Sequence, residues 1–175
     1  MAYEDGGGVK GRAYGGCRPG PAERYMDLAL REAGKAALKG EVPVGAVIVR
    51  DGAVLAKGRN KRMAGRDVAG HAEIDAMRKA ARKLGDWRLD GCEMYVTLEP
   101  CPMCAGAIIQ SRLARLHYGA SDPKAGAAGS VVDLFAVDGW NHRVEVMEGV
   151  MGAECSAILS AFFRGLRKGV GSRAP

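Results

Sequence analysis

Apolar positions recur along this chain with two periods, and the switches between them mark the elements. From Ala22 to Leu38, Met26, Ala29, Leu30, Ala33, Ala36 and Ala37 fall at helical spacing, which predicts an amphipathic helix. Gly40 stands where a helix stop is expected. Val42 to Val49 is a β-branched run, and Ala53-Val54-Leu55 follows it after Asp51-Gly52. Asp-Gly between two such runs predicts a tight hairpin. Residues 61–70 read as a loop. His71 to about Leu84, with Ile74, Met77 and Ala81 on one face, reads as a second helix.

Met94 to Leu98 then reads as a strand, Pro102 to Ile109 as a helix with its proline in the first turn, and Leu113 to Tyr118 as another strand. Residues 119–142 are Gly-rich and irregular apart from an apolar patch at Val131–Val137. Arg143 to Met147 is a short strand. Cys155, Ile158, Leu159, Phe162, Phe163 and Leu166 mark a C-terminal amphipathic helix.

The order α-β-β-α-β-α-β-(β)-α predicts an α/β fold, a mixed sheet with helices on its faces. The β-α-β unit from Met94 to Tyr118 requires parallel strands and a right-handed crossover. With 175 residues the chain is one domain's worth, long enough for a core of its own. Residues 1–20 are Gly-rich and closed by Pro19 and Pro21, so they read as a flexible extension, with a domain over 21–169 and a tail over 170–175. There is no internal repeat.

Composition narrows the class. Apolar residues make up 47%, enough for a globular fold. No apolar run approaches the roughly 20 residues of a membrane-spanning helix. The opening MAYEDGGGVK lacks the apolar core of a secretory signal, so the expected compartment is the cytoplasm, with no membrane partner. Formal net charge is +6, and after Glu154 the chain carries Arg164, Arg167, Lys168 and Arg173 but no acidic residue. A basic end suits phosphates, and a solvated tail has the same composition. The five cysteines are an odd set with no signal segment, which argues against a disulfide framework. Cys101 and Cys104 form a close pair that reads as metal-binding or redox-active. Cys17, Cys92 and Cys155 read as small buried or incidental residues.

The candidate chemistry is His71-Ala72-Glu73 followed by Pro100-Cys101-Pro102-Met103-Cys104. One imidazole and two thiolates form a Cys₂His set. Structural zinc is closed by four protein ligands, while catalytic zinc keeps three and leaves a place for water. Cys92, Cys155, His117 and His142 lie outside the motif, so the count favours catalysis. Cys101 and Cys104 are i, i+3 at a helix start, where unpaired N–H groups and the dipole favour thiolate. His71 opens another helix, whose start can meet the first across the sheet. Two thiolates neutralise Zn²⁺, which leaves a mild Lewis acid whose water needs a base. Glu73 is placed to take that proton and pass it to a ring nitrogen and a leaving amine. The reaction is then hydrolysis at an amidine-like carbon with loss of ammonia. A purely structural zinc site leaves Glu73 without a task and lacks a fourth ligand. A redox Cys-x-x-Cys needs neither His71 nor Glu73.

His-x-Glu with Pro-Cys-x-x-Cys is the signature of zinc nucleobase deaminases. The wider chain resembles the bacterial tRNA-specific adenosine deaminases. The likeness is carried by EVPVGAVIV (41–49), GRN (58–60), HAEIDAMR (71–78), YVTLEPCPMCAGAIIQSR (95–112), YGASDPKAGAAGS (118–130), NHRVEV (141–146) and FFR (162–164), and runs from about Met26 to Lys168. The resemblance implies a three-layer α-β-α, cytidine-deaminase-like fold with a mixed sheet of about five strands. It implies one Zn²⁺ per subunit on His71, Cys101 and Cys104, with Glu73 as proton shuttle. It implies a homodimer acting on a tRNA anticodon stem-loop, turning the wobble adenosine of an arginine tRNA into inosine. Asn60 and the backbone of Ala72 are similar to groups that hold the flipped base, Asp122 and Lys124 to a loop beside the anticodon, and Asn141 and His142 to a second substrate loop. Phe162, Phe163 and Arg164 match a helix that closes over the RNA. Bland readings stand beside these: the phenylalanines fit a core stripe, Asn60 a turn cap, and Asp122-Pro123 a turn opener.

Two other functions use the same residues. A deaminase of a free base or nucleoside, such as guanine or cytosine, shares the zinc chemistry, with Glu99 or Asp122 contacting the base. A non-catalytic zinc-stabilised RNA-binding domain needs the ligands but not Glu73.

Overall fold

The computed structural model describes residues 20–171, with side chains to 167, so the expected extension before Gly20 and the end of the tail lie outside the described residues. In chain order the elements are α1 (Pro21–Ala37), β1 (Gly45–Arg50), β2 (Ala53–Arg59), α2 (Arg62–Gly65), α3 (Ala72–Leu84), β3 (Cys92–Leu98), α4 (Pro102–Gln110), β4 (Arg115–Ala120), β5 (Glu145–Met147) and α5 (Gly152–Gly171). The sheet order is β2-β1-β3-β4-β5. β1 is antiparallel to both β2 and β3, whereas β3, β4 and β5 run parallel. The expected α/β architecture with a five-stranded mixed sheet is the one observed.

Strand alternation sorts the core into two layers. Met26 and Ala29 of α1 and Cys155 of α5 pack on Val47, Val49 and Tyr95. Ala72, Ala76 and Ala80 of α3 and Ile108 and Ile109 of α4 pack on Ala46, Ile48, Met94, Val96 and Leu116 of the other face. Burying each large apolar side chain contributes about 1.5–3 kcal/mol. Two glycines set how close the helices come. A Cβ on Gly45 would overlap the Ala29 carbonyl of α1, and one on Gly58 the Ala72 carbonyl and Ala76 nitrogen of α3. Bare backbone at Gly58 therefore lets the start of α3 lie flat on the hairpin, which places His71 and Glu73 at one end of the sheet.

The stretch expected to be a loop over 61–70 contains a single helical turn, α2. Its N-terminal donors are satisfied from a distance: the buried Glu41 accepts from Met63 N (3.3 Å) and Ala64 N (2.7 Å). Four residues carry no readable period, which is why the turn is invisible in the sequence. The last helix runs to Gly171, two residues past the expected domain end.

Asp75 ties this corner together. It is buried in the first turn of α3 and pairs with Lys61 and Lys79, each at 2.7 Å. Burial alone would raise its carboxyl, but the two ammonium groups outweigh it and hold the pKa below the ordinary aspartate range. A depressed folded-state pKa adds stability that is present above the unfolded value and is lost as pH falls through the folded one. Denaturant melts from pH 6 down to about pH 2 should therefore show an acid limb that flattens in Asp75→Asn.

Candidate active site

His71 and Cys101 are the N-caps of α3 and α4, both with extended backbone (ψ 155° and 169°). From these caps the imidazole and the thiol face each other. Pro102 sets the first turn of α4 and Cys104 follows within it. The two helices lie on the same face of the sheet, so their starts meet side by side rather than across it as expected. His71 Nδ1 stands 3.6 Å from Cys101 Sγ and 3.4 Å from Cys104 Sγ. Among the described residues these three form a group whose ligand atoms all lie within 4.8 Å of one another, and no fourth side chain joins it.

The electrostatics of the trio are polarised. Cys101 is pulled down to about 4, first by the Cys104 thiol it accepts from and then, against burial, by His71. Cys104 is pushed up by the same contact and by burial. His71 is raised, chiefly by its contact with Cys101. As it stands the pair shares a proton, and once that proton leaves, the sulfur and the ring nitrogen both offer lone pairs to a cation. Glu73, buried in the first turn of α3, is raised by that burial, which suits a carboxyl that takes up and returns a proton.

A cavity of about 620 Å³ opens at this end of the sheet. His71, Cys101 and Glu73 reach it from the helix starts, Val42, Val44 and Leu98 give it apolar wall, and Asn60, Ala72 and Asp122 line it as well. Asn60 is buried, and its Nδ2 donates to the Val42 carbonyl at 3.3 Å. Its Oδ1 is buried without a partner. A buried acceptor left unfilled is costly, and this one stands at the cavity wall. Asp122 folds its own turn, accepting from Lys124 N (3.0 Å) and Ala125 N (3.3 Å), and Ala125 lines the cavity.

The remaining expected residues do not gather there. Lys124 is exposed and outside the cavity lining. His142 hydrogen-bonds the Leu113 carbonyl at 2.7 Å, ahead of β4. The cavity lies beyond the other end of the parallel β3–β4 pair, so Asn141 and His142 sit at the opposite end of the sheet. Phe162 and Phe163 make an edge-to-face pair at 5.5 Å on α5, on the far face, with Phe162 half-buried and Phe163 and Arg164 exposed. None of the three lines the cavity.

The charged wall residues Glu41, Arg62, Arg66 and Asp67, with Met63 and Val68 beside them, carry no motif that marks them in the sequence. Glu99, expected with Asp122 as a contact for a free base, lines the cavity too, and both of its oxygens accept from the 121–130 loop. Among the described residues no helix is long and apolar enough to cross a membrane.

Comparison with known proteins fits this site. Residues 21–167 match the family model described as MafB19-like deaminase. A tRNA-specific adenosine deaminase of Bacillus subtilis is 49% identical over 146 residues, covering 83% of this chain and 91% of the relative. One from Haemophilus influenzae is 47% identical over 83% and 85%. A solved structure from work on A-to-I editing by tRNA:A34 deaminases at the wobble position superposes with a TM-score of 0.76, at 47% identity over 78% of this chain and 99% of that one. The guanine deaminase of Nitrosomonas europaea also superposes, with a TM-score of 0.68, but at 27% identity. The chain belongs to the tRNA-specific adenosine deaminase family.

Proposed function

We infer that this protein hydrolytically deaminates adenosine to inosine in tRNA, at the wobble position of an anticodon loop, with an arginine tRNA as substrate. The observation that carries the reading is the single cavity that gathers His71, Cys101, Glu73 and the unpartnered Asn60 Oδ1.

The donor set fits zinc. A tetrahedral zinc roughly 2.0–2.3 Å from its ligands separates N and S atoms by about 3.5 Å. The His71 to Cys101 and Cys104 distances of 3.6 and 3.4 Å suit that spacing. His71, Cys101 and Cys104 would hold one Zn²⁺ per subunit. Bound there, it supplies Lewis-acid activation of the attacking water. Glu73 takes one proton as water adds to C6 and passes it to N1; it then takes the second from the new C6 hydroxyl and gives it to the amine as the C6–N bond breaks and the C6 carbonyl forms, so ammonia leaves neutral. Asn60 Oδ1 accepts from a hydroxyl or amine of the bound nucleoside. Ala72 offers the first turn of α3, where backbone N–H groups lack intrahelical partners. An anticodon base is already unpaired, so extruding it into the cavity costs little.

Asp122 and Lys124 would lie along the flanking nucleotides. We propose a homodimer acting in the cytoplasm. Asn141 and His142, at the far end of the sheet, then reach RNA only beside the cavity of a second copy, and Phe162, Phe163 and Arg164 belong to the same outer surface. Exposed Val131, Val132 and Trp140 on the connecting loop give such a contact apolar area.

The test is incubation with an adenosine-containing arginine anticodon stem-loop. Inosine should form, at a rate that falls as salt rises, because phosphate contacts release counterions. Deamination of free guanine or cytosine with the stem-loop left untouched would overturn the reading.

A further inference from the structure

Glu99 follows β3 and precedes the Pro100-Cys101 step into α4, and is 2% exposed. Its Oε2 accepts from Asp122 N (2.8 Å) and from the Ser130 hydroxyl. Its Oε1 accepts from Ala128 N (2.9 Å) and Ser130 N (3.1 Å). Among the described residues no cation pairs with it, so four N–H and O–H donors balance the charge. A buried carboxylate held only by such donors is costly unless every lone pair is used, and here they are. Gly126 is shaped to this arrangement, since a Cβ there would land on the Glu99 carboxyl group. Ser121, Pro123, Lys124 and Ala125 are exposed, so this part of the loop has little apolar anchorage of its own.

We propose that Glu99 is a positioning residue: its carboxylate latches the 121–130 loop to the segment that carries Cys101, and so sets the cavity wall at Asp122 and Ala125. The reach is short. Asp122 N is held by Glu99, the Asp122 carboxylate then folds the turn through Lys124 and Ala125, and Ala125 lines the cavity beside Asp122. The loop without its latch keeps the chemistry at Glu73 but loses the wall against which the nucleotide is seated. This rests on the deaminase reading above for its kinetic arm only.

Glu99→Gln keeps the volume but offers one acceptor and one NH₂ group, so one side must face backbone donors. Ser130→Ala removes one contact, and Gly126→Ala pushes on the carboxyl without changing charge. In zinc-loaded protein, hydrogen exchange at Asp122, Ala128 and Ser130 should speed up about tenfold or more in Glu99→Gln, with β3, α3 and α4 still protected and metal content unchanged. For the stem-loop, KM should rise about tenfold while kcat stays within about threefold, the split expected when binding rather than transition-state contact is lost. Gly126→Ala should reproduce both effects and Ser130→Ala a weaker version. These two carry the test if Glu99→Gln does not fold. Unchanged loop exchange overturns the latch. Faster loop exchange with wild-type KM overturns its link to the cavity, and loss of kcat at unchanged KM makes Glu99 catalytic instead. If the wild type leaves the stem-loop untouched, the deaminase reading fails, and the exchange comparison still decides the latch.

Discussion

Glu73→Gln should lower the rate of inosine formation by about 10²–10⁴-fold, the range a general acid–base group supplies. Bound zinc and stem-loop affinity should stay at wild-type values. The substitution is isosteric, so the buried first turn of α3 keeps its packing and no cavity opens. An amide at this position cannot take the proton that the attacking water must lose. Single-turnover kinetics on the stem-loop, with metal analysis and a binding titration of the same samples, check it. The pattern separates the roles: the non-catalytic RNA-binding alternative requires no change in any of the three. Turnover within a few-fold of wild type removes Glu73 from the mechanism. A parallel loss of zinc would make it a ligand-supporting residue instead.

The trio was legible because each of its halves is a local motif, although the two halves meet across 30 residues. A Cys-x-x-Cys at a helix start needs only a proline in the first turn and a strand before it, and His71-x-Glu73 needs only the next helix. The hairpin was legible for the same reason, as Asp51-Gly52 announces it. What stayed hidden depends on long-range contacts. Glu41 caps α2 from 22 residues upstream, and Glu99 holds Ser130 from 31 residues away. A lone buried glutamate looks the same in a sequence as an exposed one. The outer substrate residues came from resemblance, which carries no distances. The fold puts Asn60, Ala72 and Asp122 on the cavity but leaves Asn141, His142 and the α5 phenylalanines elsewhere. The bland reading of Asp122-Pro123 as a turn opener holds together with the cavity reading, since the carboxylate does fold the turn.

Removing the metal should give the other large effect. Cys104 is fully buried, and the trio is presented by two helix starts that frame one end of the core. Binding to the folded state alone stabilises by about 4 kcal/mol when free metal stands at 1,000 times Kd. For a domain of this size that corresponds to a Tm shift of about 10 °C. Chelation should therefore lower Tm by about that much and abolish deamination, and added zinc should restore both. Cys104→Ala should melt at the chelated temperature and no longer respond to zinc. His71→Ala should behave alike, since either change leaves two ligands. The three-ligand count decides a further point. With four protein ligands a closed site would slow metal exchange and leave no open position, whereas the described residues offer three, beside a cavity that can admit water and a base. A Tm and activity both indifferent to chelation would sink the metal assignment. A Tm that responds while activity does not would make the metal structural and return Glu73 to a side chain without a task.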